Sequence, residues 1–431
     1  MIAFASLFLG LMVGVRPVTV IAGEPVVAVT FELDDRSVGR LTGSPWTLDV
    51  DFGKEFEPHE LVARAYDQKG EEIGLVRQWI NLPRPPAEVE VVLERDGSGR
   101  AVAARLAWES ILGVRPLRVV VTFDGARLPL ADRRVTLPAY DEVATHVLTA
   151  VLDFPNGVRS RSDVVLGGGS AGEAKSELTA VPILTDGGKP PKPQALRGRF
   201  RRKDQALSVA AVEHGPAEVV VVRDLSSGEA QQALRRGRPF GGAMPFFSDR
   251  SGLEGSDVAR ILWPVARRIV EGGKSNELFE TSREFSGKSA SFRFLLTQVD
   301  YPGAASPRRF ADAVAVAGLR ACGSYSRRAV VLVLGTSGPD QSVYQAGPVR
   351  RYLERLRVPL YVWSLVPLGS HPPALAPWGE AEDISSWPGL ERAVEHLRHD
   401  LERQSIVWLE GRHLPQQIEL VGNGGGLELA S

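Results

Sequence analysis

Three stretches of this chain are apolar with no alternation: Ala217 to Val222 (AEVVVV), Ala329 to Leu334 (AVVLVL) and Val358 to Leu365 (VPLYVWSL). A strand with one solvated face alternates apolar and polar side chains, so a strand that is apolar on both faces has to be covered on both. The sequence supplies the cover. Phe310, Ala313, Val314 and Ala317 keep the 3-4 spacing of an amphipathic helix, as do Val349, Tyr352, Leu353 and Leu356, and again Leu390, Val394, Leu397 and Leu401. Pro348 and Pro388 stand where first helical turns begin. Strands alternating with helices predict an α/β, doubly wound, mostly parallel (Rossmann-like) sheet over 196–431.

The first 166 residues follow the other period. Val27, Val29, Phe31 and Leu33 alternate with Ala28, Thr30 and Glu32, and Trp46, Leu48, Val50 and Phe52 alternate with Thr47, Asp49 and Asp51. Turn residues separate such runs, as in Asp34-Asp35, Gln68-Lys69-Gly70 and Asp124-Gly125. There is also an internal echo. Val29-Thr30-Phe31 is matched by Val121-Thr122-Phe123, and His59-x-Leu61-x-Ala63 by His146-x-Leu148-x-Ala150, each copy running on to an Asp (Asp67, Asp153) and a Gly (Gly70, Gly157). Matches in the same order predict two tandem copies of one all-β sandwich, over 16–83 and 84–166, joined at Leu82-Pro83-Arg84-Pro85-Pro86. A connector is expected over 167–195, and 1–15 reads as a separate apolar segment. Its run from Ile2 to Val15 has the length of a signal-peptide core and is too short to span a bilayer, though no Lys or Arg precedes it. Export to the periplasm or beyond is the expectation, with an apolar first strand as the alternative.

Charge excludes some partners. The chain has 51 basic and 52 acidic residues, a formal net charge of -1, which gives nucleic acid no long-range attraction. The basic cluster Arg197, Arg199, Arg201, Arg202 and Lys203 reads as a wet strand edge. The one cysteine, Cys322, allows no intramolecular disulfide and reads as buried packing. His59 and His146, at equivalent places in a repeat, read as structural. His396 and His399 lie on one helix face with no third metal ligand in view.

Two catalytic patterns fall in the glycine run. Gly167 to Ser176 lacks the Lys that a phosphate-binding loop needs after its last Gly. Gly168-Gly169-Ser170-Ala171-Gly172 fits the G-x-S-x-G nucleophile elbow, with Asp383 and His413 following in order. The elbow requires a buried parallel strand before it and a helix after it, whereas the preceding chain is read as β-sandwich. A serine hydrolase using Ser170 is therefore an alternative, and a non-enzyme is the expectation.

The β modules resemble the immunoglobulin-like sandwiches of bacterial surface proteins, without their Cys-Trp-Cys core. From the strand ending in Asp224-Leu225-Ser226-Ser227-Gly228, the second half resembles the von Willebrand factor type A (VWA) family, whose first strand ends in D-x-S-x-S. Strands at Val258 to Pro264 and around Leu278-Phe279 follow. Arg308-Arg309-Phe310-Ala311-Asp312-Ala313 then stands for T-x-L-x-D-A, Thr336-Ser337-Gly338-Pro339-Asp340 for T-D-G-x-D, and Leu390 to Leu409 for a closing helix and strand. The resemblance implies a metal-ion-dependent adhesion site, and here that site is degenerate. Asp224 and Ser226 are kept. Gly228 replaces the second Ser, Arg308 (or Ser306 in a shifted loop) stands for the Thr, and Ser337 replaces the Asp. One carboxylate and one or two hydroxyls are too few for a hard cation, and Arg308 would compete for Asp224. The reading is a protein-binding scaffold with no cofactor, recognising another protein through the loops of Asp224 to Gly228, Arg308 and Thr336 to Asp340. A domain that still binds Mg²⁺ is the alternative.

Overall fold

The computed structural model describes residues 2–6, 8, 10–83, 87–96, 100–110, 115–124, 126–143, 145–154, 159–167, 178–187, 190–224, 234, 252–253, 256–271, 274–286, 292–299, 301, 307–335, 339–370, 375–422 and 426–431. The chain forms two compact units. One comprises Met1–Pro83, Thr179–Leu409 and His413–Ser431, and the other comprises Arg84–Leu178 with Glu410–Arg412.

The smaller unit is a β-sandwich. A four-stranded sheet in the order Ala126–Leu128, Arg118–Phe123, Thr145–Asp153, Arg159–Gly167 packs with a three-stranded sheet of Arg134–Thr136, Ala101–Ser110 and Ala87–Arg95. Alternate side chains of both sheets meet in one core that includes Val91, Leu106, Val121, Phe123, Leu148 and Leu152.

The larger unit begins with the same design. Arg36–Leu41, Ala28–Leu33, His59–Tyr66 and Glu72–Ile80 form the four-stranded sheet, and Ile2–Phe4, Val15–Ala22 and Thr47–Asp51 the three-stranded one. Strand for strand, the two sandwiches have the same order. Ile2–Phe4 pairs with the end of Val15–Ala22, and Ile2 is in the core, so the first sandwich starts before residue 16.

Register corrects the internal echo. Phe31 pairs with Ala63 and Leu33 with Leu61, whereas Val121 pairs with Ala150 and Phe123 with Leu148. The counterpart of Val121-Thr122-Phe123-Asp124 is therefore Phe31-Glu32-Leu33-Asp34, two residues later than the match of letters placed it. A shift of two leaves every side chain on its own face, so alternation alone does not reveal it.

The apolar stretches lie in a seven-stranded sheet. Its path is Lys274–Thr281, Val258–Glu271, Ala217–Arg223, Arg327–Leu334, Leu360–Ser364, Glu382–Asp383, with Phe285–Ser286 also on Val258–Glu271. Pairing is parallel from Val258–Glu271 through to Glu382–Asp383 and antiparallel at Lys274–Thr281. Val220, Val222, Val330 and Leu332 pack with the helices Phe310–Gly323 and Ala346–Leu356. Val219, Val221, Val331 and Val333 pack with Phe292–Thr297 and Trp387–Arg403 on the opposite face. Both faces are covered, which is why the runs do not alternate.

The connector expected over 167–195 contains a strand, Leu178–Thr185. It lies between Gln404–Glu410 and Leu427–Leu429 in a four-stranded sheet whose far edge is Val209–Glu213. A three-stranded sheet of Gln205–Ala206, Phe200–Arg202 and Ile418–Leu420 shares its core of Val181, Ile183, Phe200, Val407, Leu409 and Ile418. Gln404–Glu410, expected as the closing strand of the α/β half, pairs antiparallel with Val209–Glu213 instead. The helix-bearing layer is thus inserted between two neighbouring strands of a third β structure.

Buried arginines clamp that junction. Arg327 donates to the carbonyls of Gly215 and Leu401, both at 2.6 Å, and pairs with Asp257 at 2.9 Å. Arg328 donates to the carbonyls of Cys322, Leu356 and Arg357, at the ends of the Phe310–Gly323 and Ala346–Leu356 helices, where carbonyls lack helical partners.

The first sandwich is not a free spacer. Phe56 is buried in the same core as those two helices, and Tyr352 Oη donates to the Asn81 carbonyl at 2.8 Å. Arg355 donates to the Phe56 carbonyl at 3.0 Å and pairs with Glu57 at 2.8 Å.

Candidate functional site

Open parallel sheets bind ligands at the carboxyl ends of their strands. Asp224 stands there, directly after Ala217–Arg223, with no exposed surface. Its amide donates to the Val333 carbonyl at 2.9 Å and its Oδ2 accepts from the Gly335 amide at 3.0 Å, so the carboxylate is tied to the neighbouring strand end. Arg308 Nε lies 3.4 Å from Asp224 Oδ1. A guanidinium therefore meets the buried negative charge. A hard cation such as Mg²⁺ wants near-octahedral oxygen ligands. Among the described residues no group of three His, Cys, Asp or Glu is placed to hold a metal ion.

Asp340 is a helix cap. Its Oδ1 accepts from the Phe310 amide at 2.8 Å and from the Ser342 amide and hydroxyl at 3.0 and 2.6 Å, and its Oδ2 accepts from the Ala311 amide at 2.9 Å. The first amides of a helix have no partner within it, and Arg309, at the cap position, supplies none from its side chain. A carboxylate from a distant loop does so, and its charge suits the helix N-terminus. Asp312 returns the contact. It is 4% exposed and accepts from the Val343 and Tyr344 amides at 3.0 and 3.1 Å and from Arg309 Nε at 2.5 Å. The Gln341 amide donates to the Arg308 carbonyl at 2.8 Å. Two carboxylates thus lace residues 339–344 to the helix start next to Arg308. An acidic residue in a first helical turn is a sequence signal for Asp312, but nothing in the sequence marks Ser342.

No family model matches the sequence. No curated protein matches it either. Among solved structures it is similar to the fibronectin(III)-like modules of CbhA from Clostridium thermocellum, at 15% identity over 38% of this chain and 92% of that one, with a TM-score of 0.17. The central fibronectin-III array of RIM-binding protein matches at 9% identity, covering 46% of this chain and 81% of that one, TM-score 0.24. Proximal thread matrix protein 1 from the mussel byssus matches at 17% identity, covering 46% and 48%, TM-score 0.28. These likenesses are too loose to carry a functional inference.

Other candidates are placed as follows. Ser226, Gly228, Ser306, Thr336 and Ser337, together with Gly157, Ser170 and the rest of 168–177, lie outside the described residues. Asp383 accepts from the Ser385 amide and hydroxyl, at 2.9 and 2.6 Å. The His413 amide donates to Thr179 Oγ1 at 2.9 Å. His396 lies between Glu382 at 3.3 Å and Asp400 at 3.5 Å on an exposed helix face. Tyr361 donates to Asp400 at 2.7 Å, and burial pushes its hydroxyl far above the usual tyrosine range. Arg201 pairs with Glu419, and Arg202 and Lys203 pair with Asp35. Cys322 is buried, which raises its thiol pKa.

The two repeated histidines are clasps. His59 Nδ1 is 2.7 Å from Asp34 Oδ2 and its Nε2 is 3.2 Å from the Phe52 carbonyl. His146 Nδ1 is 2.6 Å from Asp124 Oδ2 and its Nε2 is 2.9 Å from the Asp141 carbonyl. Each ties a hairpin turn of one sheet to the loop that precedes its own strand. The hydrogen bond with Asp124 raises the His146 pKa.

Proposed function

We propose that the chain is a non-enzymatic, protein-binding scaffold of the bacterial envelope, periplasmic or secreted. In this reading a VWA-like α/β domain recognises another protein without a metal ion. The support comes from the order of strands and helices, with Asp224, Arg308 and the 339–344 segment near the carboxyl ends of a parallel sheet, and above all from one contact. Arg308 stands 3.4 Å from the fully buried carboxylate of Asp224, the residue on which a bridging cation would depend. In this reading the partly exposed Arg308 guanidinium, rather than an ion, faces the carboxylate, and recognition falls to the surface around it. That surface includes Val343, 70% exposed in the loop laced beside Arg308.

Calorimetric titration of Mg²⁺ and Mn²⁺ into the full chain, with Asp224→Ala as control, tests the reading. It requires no saturable heat from either protein. Heat in the native chain that disappears in Asp224→Ala would make the site a metal-dependent one and overturn the proposal.

A further inference from the structure

Phe56 belongs to the first sandwich, on the loop between Thr47–Asp51 and His59–Tyr66, yet its side chain is 1% exposed and sits among the α/β helices. Its ring meets Tyr344 with centroids 4.2 Å apart and Tyr352 with centroids 5.6 Å apart. Tyr344 ends the laced segment whose amides are held by Asp312 and whose Gln341 amide holds the Arg308 carbonyl. One continuous set of contacts therefore runs from the sandwich, through Phe56, Tyr344 and the 339–344 segment, to the backbone of Arg308, whose guanidinium lies beside Asp224.

We propose that docking of the first sandwich sets the position of Arg308 on Asp224, with Phe56 as the positioning residue. The physical basis is rigidity. Asp312, Asp340 and the Gln341 amide hold the segment to the helix start, and Phe56 adds the contact at Tyr344 that comes from the sandwich, so docking removes the freedom left at that end of the segment. Displacing the sandwich removes the Tyr344 contact and loosens the segment against the helix start, and binding at the surface around Arg308 and Val343 is linked to docking by the same free energy. This consequence rests on that surface serving in recognition, whereas the positioning itself does not.

Amide hydrogen exchange on the full chain tests it, comparing native protein with Phe56→Ala and with Tyr344→Leu, which breaks the contact from the loop side. The expected result is exchange at Ser342, Val343, Tyr344 and Gly335, the last being the donor to Asp224, faster by about tenfold or more. The Trp387–Arg403 helix and the His59–Tyr66 strand keep their native protection, and Phe56→Leu restores slow exchange at the loop. Unchanged exchange at those four amides in both variants overturns the proposal. So does equal acceleration everywhere, which marks Phe56 as ordinary core. The readout needs neither metal nor partner, so its failure is separable from failure of the metal-free binding reading.

Discussion

The two β-sandwiches share strand order, an apolar interior and a histidine clasp, yet the first is built into the α/β unit and the second is a compact unit of its own. The loop before the last hairpin of each sandwich is one place where they differ. In the first sandwich Glu55-Phe56-Glu57 turns an aromatic ring outward into a neighbouring core, flanked by acids that meet Arg351 and Arg355. In the second, the loop before Thr145–Asp153 turns Tyr140 back over its own sandwich, with ring centroids 5.6 Å from Phe123 and 5.3 Å from His146. Val143 in the same loop is 83% exposed. Strand pairing is common to the two modules, and the direction of this loop side chain is not.

The largest expected effect tests that contrast directly. Phe56→Ala removes a fully buried ring, and the roughly 3–5 kcal/mol that such a deletion costs is expected to fall on the packing of the first sandwich against the helices Phe310–Gly323 and Ala346–Leu356, leaving the Trp387–Arg403 helix protected. Tyr140→Ala removes a half-buried ring and is expected to cost the smaller unit about 1–2 kcal/mol. Urea denaturation with exchange readout resolves the two units. Equal losses would mean that the two loops do the same job.

The clasps come next. Asp34→Ala leaves both His59 Nδ1 and the Glu60 amide without their carboxylate acceptor, at an expected cost of about 1–3 kcal/mol. If the loss falls below measurement, the repeated histidine is not a clasp.

A smaller effect depends on pH. Hydrogen bonding to Asp124 raises the folded-state pKa of His146 above its ordinary 6.5. A group of this kind contributes its full stabilisation below the unfolded pKa and loses it as pH rises through the folded one. The denaturation midpoint of the smaller unit is therefore expected to fall across a window that starts near 6.5 and extends above it, and His146→Phe is expected to flatten that slope. An unchanged slope in the variant would assign the titration to another group.

Smallest of all, Glu55→Gln breaks an ion pair whose side chains are 36% and 48% exposed, and water and salt screen such pairs. Any midpoint shift should vanish at high ionic strength. A shift that persists there would mean that the acids, rather than Phe56, hold the sandwich in place.

The sequence by itself determined whatever is written in local periodicity. Val219 to Val222 and Val330 to Leu334 could only be strands covered on both faces, Phe310 to Ala317 and Leu390 to Leu401 could only pay their apolar stripes against a sheet, and the recurrence of His59 and His146 marked a repeat. Asp224 and Arg308 were legible as neighbours because each adjoins an element of clear period. The tertiary structure alone decided what depends on pairing across long separations. Leu178–Thr185 has too short a pattern to be told from a connector until Leu427–Leu429 pairs with it. The two-residue correction to the repeat is invisible to a pattern of period two. Asp340 could not be read as a cap, because the amides that it satisfies belong to a helix 30 residues earlier in the chain. Nor does composition separate Phe56 from any other loop aromatic, since which core receives a ring is decided by the packing partner.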